Sequence, residues 1–154
     1  MINVRVPATS ANMGPGFDCL GVALQLYNYV SVEEIDSGLQ IDIVDSSSRF
    51  LPRDERNLVY RSMCAVFDLC GYRPRGLHIT LENNVPVTRG LGSSSAGIVG
   101  GLTAGNALAG NPLSRDDILN LAARIEGHAD NVTPAVMGGF TVNVCGRRKI
   151  SHGK

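Results

Sequence analysis

Residues 2–7 alternate between apolar and polar positions and predict an opening strand. A loop over 8–21 with three glycines and a proline follows. Residues 22–34 alternate again through Val, Leu and Tyr and predict a long strand with a bend at Asn28; residues 39–44 predict a short one. After a polar turn at 46–52, Asp54 is placed to cap a helix over 57–69 that stops at Gly71. Leu58, Met63, Val66, Phe67 and Leu69 form its apolar side. Residues 77–81 predict a strand with His78 and Thr80 on one face, where His78 reads as an exposed strand residue. A Gly/Ser loop over 85–95 feeds a helix that reaches about residue 109. Ser114 and Asp117 form a capping pattern for the next helix, through Leu119, Leu121, Ala122 and Ile125. Residues 129–136 predict a loop or short helix, and 137–145 a closing strand. The order β-β-β-α-β-α-α-β is a mixed α+β layer architecture.

The helix after the Gly/Ser loop breaks a local rule. Gly97, Gly100, Gly101 and Gly105 each cost about 1 kcal/mol relative to Ala in a helix interior. That composition makes sense only if the helix is central and other backbone packs directly on it.

Composition narrows the class. With 44% hydrophobic and 18% charged residues, the chain folds rather than staying disordered. Lys+Arg 14 against Asp+Glu 14 and 5% aromatics leave no electrostatic footprint for nucleic acid. The neutral total is uneven: residues 1–145 hold ten arginines and no lysine against fourteen acids, a net of −4, and 146–154 hold +4. Cys19, Cys64, Cys70 and Cys145 have no CxxC spacing, and His78, His128 and His152 do not supplement them, which argues against a zinc cluster. No charged, then apolar N-terminal pattern and no run of ~18 apolar residues is present. A reduced, cytoplasmic protein with no membrane partner is expected.

Three stretches carry chemistry. The first is Pro86, Val87, Thr88, Arg89, Gly90, Leu91, Gly92, Ser93, Ser94, Ser95 and Ala96, at a helix start. Its glycines free the backbone to turn N–H groups inward, the helix adds unpaired donors and a positive dipole end, and the serines add hydroxyls. This suits a polyphosphate, although an ordinary Gly/Ser cap has the same letters. A Walker loop needs a Lys that is absent. Ser95 replaces the third glycine of the dinucleotide fingerprint, and no GxSxG elbow passes through the serines. In the second stretch, Gly14, Pro15 and Gly16 force a tight turn that brings Asn12 and Asp18 together, either for a small polar molecule or as an Asx-capped turn. The third runs from Glu126 through His128, Asp130 and Asn131. Glu126 ends a helix, where its charge opposes the dipole; either solvent satisfies it or a cation does, and carboxylate, serine hydroxyl and phosphate oxygens suit Mg²⁺.

Taken together, these stretches resemble the GHMP kinase superfamily, whose phosphate loop reads Pro-x-x-x-Gly-Leu-Gly-Ser-Ser-(Ala/Ser)-Ala. Within it, residues 6–18 and 126–135 are similar to the homoserine kinase family's wording. The resemblance covers about residues 2–145. It implies a GHMP kinase N-terminal domain of the ribosomal protein S5 domain 2-like α+β fold, with ATP and Mg²⁺ as cofactors and the hydroxyl of L-homoserine as phosphoryl acceptor. It also implies that residues 86–96 wrap the ATP phosphates, that Ser94 and Glu126 hold Mg²⁺, and that Asn57 contacts adenine. Asn12, Asp18, His128 and Asn131 would line the homoserine pocket. Some relatives place an Asp base beside this Asp-Asn pair; the homoserine kinase pattern has Asn there, so Asn131, Glu126 and Ser94 are the expected catalytic residues and Asp130 is not a base.

One departure shapes the expected domains. Family members run to about twice this length, with a ferredoxin-like C-terminal domain and carboxylate-clamping arginines. The expectation is therefore an ATP-binding domain over 1–145 and an atypical basic tail over 146–154, frameshifted or disordered, with little or no turnover by this chain. A homodimer is expected only of a full-length protein. Another GHMP small-molecule kinase and a non-catalytic nucleotide-binding remnant are the alternatives.

Overall fold

The computed structural model describes residues 1–14, 19–44, 50–145 and 150–153. Its elements are β1 (Ile2–Ala11), β2 (Leu20–Glu34), β3 (Gly38–Ile43), α1 (Leu58–Cys70), β4 (Gly76–Asn83), α2 (Ser93–Leu108), α3 (Arg115–Glu126), α4 (Val132–Met137), β5 (Phe140–Cys145) and β6 (Ile150–Gly153). The strands form one mixed sheet in the order β3-β4-β2-β5-β6, with β1 also on β2. β3 and β4 run parallel, joined through α1; every other pairing is antiparallel.

β2 organises the sheet because it is long enough to serve several partners. Its Asn28–Glu34 half pairs with β4, and Leu20–Val22 pairs with β5. The expected bend at Asn28 is the point where pairing with β4 ends. The buried Asn28 side chain accepts a hydrogen bond there from the Val85 amide at 2.8 Å, anchoring the start of the next loop.

Alternation decides which sheet face is buried. Val30 and Val32 of β2 register with Leu81 and Ile79 of β4, and Ile41 of β3 registers with Ile79; all five are buried. Val59, Met63 and Phe67 of α1 cover this row. A second cluster joins Val6 of β1 to Leu102 of α2, Leu119 of α3 and Val132 of α4. α2 lies between the two clusters. A Cβ at Gly101 would collide with the Val59 carbonyl, and one at Gly105 would stand 3.0 Å from the Met63 Cα. The glycines are there because α1 backbone packs on α2 at these points, as its composition predicts.

Local details refine or correct the expectation: β1 runs on to Ala11, into the expected loop over 8–21, and α4 reaches Met137, so the closing strand starts at Phe140 rather than at 137. The cap of α1 is Asn57, whose Oδ1 accepts from the Val59 amide at 2.9 Å. Asp54 instead grips Arg56, whose guanidinium holds the Asp54 carboxyl down at about 2. Leu69 is 60% exposed, off the buried side of its helix. Residues 132–137 resolve the open choice as a short helix. Last, Ile150–Gly153 pairs with β5 as a strand, so these four residues are sheet rather than a disordered tail.

Candidate active site

The site forms where the N-terminus of α2 meets the C-terminus of α3. Ser114 and Asp117 close a reciprocal capping box that fixes where α3 begins. Gly127, at φ 95°, ends it, leaving Glu126 as its last residue. There Glu126 opposes its own helix dipole, yet its carboxylate faces the positive end of α2. Ser94 Oγ donates to Glu126 Oε2 at 3.0 Å and Ser95 Oγ donates to Oε1 at 3.1 Å. The compensation that its position demands thus comes first from the protein.

Ser94 is exposed and Ser95 fully buried. The two serines differ in role: one faces the site, the other secures the carboxylate from behind. One carboxylate with adjacent hydroxyls is an all-oxygen set that fits a hard divalent cation such as Mg²⁺, with water and phosphate oxygens completing the shell. Among the described residues no cluster of three or more His, Cys, Asp or Glu could hold a metal by itself.

The loop ahead of α2 turns through left-handed residues at Thr88, Gly90 and Gly92, with φ 61°, 71° and 66°. Gly92 is the cap of α2 and provides no side chain, and no acid occupies the first turn. Backbone donors at this helix end therefore remain available to an anion. Beside them lies a cavity of about 430 Å³, walled by Val87–Gly90, Gly92–Ser94 and Gly97 on one side and by residues 51–52 and 56–59 on the other. Pro86 is exposed outside it, Leu91 turns its carbonyl to Thr9, and Ala96 is buried. Asn57 does reach the cavity wall, but its amide is engaged with backbone: besides capping α1 it donates to the Pro52 carbonyl at 2.7 Å.

The third stretch gathers at the start of α4. Asp130 is 1% exposed, and its Oδ1 accepts from the Asn131 amide at 2.9 Å and from His128 Nδ1 at 2.6 Å. This contact anchors the half-exposed His128 ring through Nδ1. Asn131 is the first-turn cap of α4 and is joined to Thr9 by a 2.8 Å hydrogen bond. Asn12 stands exposed just beyond β1 with φ 59°. Asp18 lies outside the described residues. The structure therefore brings Ser94, Ser95, Glu126, Asn131 and the loop together around one helix end.

Thr9 is the residue that pattern reading passes over. Strict alternation from Val6 would send it to the outer face, but pairing with β2 slips between Pro7 and Thr9, so Ala8 and Thr9 are both fully buried. The available signal was Pro7, which cannot donate to a sheet ladder and marks such irregularities.

A glycine-rich loop on a helix N-terminus beside an open cavity is an arrangement suited to phosphate groups. A family model described as GHMP kinases N terminal domain matches residues 57–139, over half of the chain, and the chain belongs to the GHMP kinase family. Whole-chain similarity is narrower. The homoserine kinase of Petrotoga mobilis is 51% identical over 154 residues, covering 100% of this chain and 50% of that protein. That of Desulfitobacterium hafniense is 55% identical over 144 residues, 94% of this chain and 48% of its own length. The solved homoserine kinase of Cytophaga hutchinsonii matches with TM-score 0.85 and 35% identity over 99% of this chain and 51% of that one. The chain spans about half the length of the curated relatives it matches.

Proposed function

We propose that this chain supplies the ATP-binding part of a homoserine kinase, which transfers the γ-phosphoryl group of ATP to the side-chain hydroxyl of L-homoserine and yields O-phospho-L-homoserine. The observation that carries the reading is the Ser94–Glu126–Ser95 cluster at the open N-terminus of α2, beside a cavity of about 430 Å³. The relatives' identity across the whole chain supports the choice of acceptor.

In this reading the α2 N-terminus and residues 86–96 cradle the phosphates, and the cavity takes the nucleoside, with Asn57 at the adenine end. Ser94 and Glu126 hold Mg²⁺, which neutralises charge on the transferring phosphoryl group. Asn12, Asp18, His128 and Asn131 hold the amino-acid substrate. Asp130, buried and committed to two donors, keeps His128 and Asn131 in place. Positioning and charge neutralisation carry most of the rate. The setting is cytoplasmic threonine biosynthesis. Among the described residues no helix is long and apolar enough to cross a membrane.

The test is a coupled ADP-release assay on this chain and on a version extended to its relatives' length, with L-homoserine, mevalonate and a sugar as acceptors. Preference for L-homoserine is expected. Preference for another acceptor would refute the assignment, and nucleotide binding without transfer in either version would support a binding remnant.

A further inference from the structure

We propose that Thr9 is a positioning residue: it fixes the Asn131 amide against the end of the phosphate loop and turns its donor end toward the acceptor substrate. The proposal rests on the kinase reading above and adds a residue to it.

Thr9 connects three segments. Its amide donates to the Leu91 carbonyl at 3.0 Å, tying β1 to the loop just before α2. Its hydroxyl donates to Asn131 Oδ1 at 2.8 Å, tying β1 to the start of α4. The fit against Gly92 leaves no slack. A Cβ there would collide with Thr9 Oγ1 and lie 3.2 Å from Asn131 Oδ1. The bulge after Pro7 is what aims Thr9 inward, and bulges next to active sites commonly re-aim a side chain.

Asn131 provides an independent observation. An Asn in the capping position of a helix ordinarily spends its side chain on the first-turn amides. Asn131 makes no such side-chain bond to α4. Its carboxamide is held by Thr9 instead. An amide has one acceptor end and one donor end; with Oδ1 engaged by the Thr9 hydroxyl, Nδ2 is the end left to donate. A group held in this way loses little freedom when substrate arrives, which is how pre-set geometry raises a rate.

The experiment follows the side-chain amide resonances of Asn131 by ¹H–¹⁵N NMR in the 154-residue chain, comparing wild type, Thr9→Val and Thr9→Ser. Thr9→Val keeps the shape and removes the hydroxyl, so the Asn131 NH₂ pair should shift and exchange faster with solvent. Thr9→Ser restores the hydroxyl and should bring the pair back to its wild-type position. With a non-hydrolysable ATP analogue present, Thr9→Val should weaken L-homoserine binding about tenfold, the effect of one well-placed hydrogen bond, and leave analogue affinity within a factor of two or so. An Asn131 pair unmoved in Thr9→Val, or displaced in a folded Thr9→Ser, would overturn the proposal; the Ser variant decides the matter if the Val variant does not fold. If a version extended to its relatives' length binds no L-homoserine, the acceptor assignment fails, and the resonances of the ligand-free chain still decide the role of Thr9.

Discussion

Glu126 and Gly92 show how a single side chain, or its absence, sets the chemistry. Glu126 sits at the wrong end of its own helix and is held by two serines from another. Glu126→Ala should lower phosphotransfer by orders of magnitude in an active version of the protein and abolish its response to Mg²⁺; an unchanged rate across a Mg²⁺ titration would end its metal role. Gly92 has φ 66°, and any Cβ there meets the Thr9 hydroxyl. Gly92→Ala therefore combines backbone strain with a collision. A loss of about 1–3 kcal/mol is expected, together with loss of nucleotide affinity, measured by chemical denaturation and calorimetric titration. Both residues were singled out by type and spacing. Ser94 and Ser95 were singled out with the loop, but the bond from Ser95 to Glu126 across 31 positions and the place of Thr9, whose partner Asn131 is 122 positions away, were not.

Among the elements, α2 carries the most tertiary information. By propensity alone, Gly101→Ala should stabilise a helix by about 1 kcal/mol. Packed against the Val59 carbonyl, the same change should destabilise the protein by about 1–3 kcal/mol, the usual cost of overpacking. A lower melting temperature for Gly101→Ala than for wild type is the expected result. The strands offer a pH-dependent counterpart. His78 of β4 bridges Asp42 of β3 at 2.8 Å and Glu33 of β2 at 3.2 Å. Asp42 first and Glu33 second raise the His78 pKa above its ordinary value, and His78 lowers that of Asp42. A raised histidine contributes fully below its unfolded pKa and loses the contribution as pH rises through its folded value. The lowered Asp42 contributes above its unfolded pKa and loses it as pH falls through its folded one. The bridge thus supports the sheet in mildly acidic to neutral solution. His78→Gln should lower the urea midpoint more at about pH 6 than at about pH 9; equal losses at both would show that the bridge carries no charge-dependent stability.

At the scale of the whole molecule, the proposed function links nucleotide binding to folding. The cavity draws its walls from α1, the loop ahead of α2 and the start of α2, so a nucleotide bound there would require these to pack together. Saturating Mg-ATP at about 100 times its Kd should add about 2.7 kcal/mol of stability, visible as a raised melting temperature that Glu126→Ala diminishes. The order of elements and the α+β layering followed from periodicity, since alternation at 2 and 3.6 residues records which face is buried. The loop at 86–96 and the Glu126–Asn131 stretch stood out because glycine, serine and acid at those spacings have few other uses. Local chemistry did not say that the bulge at Pro7 turns Thr9 inward, that Ser95 backs Glu126 while Ser94 faces the site, or that Asn57 caps α1 as well as lining the cavity. Nor did it show that residues 150–153 extend the sheet. Patterns along a chain register burial and turn preference, which act between near neighbours. The aim of a side chain across a bulge and the partner of a helix end are settled only when segments far apart in sequence are packed face to face.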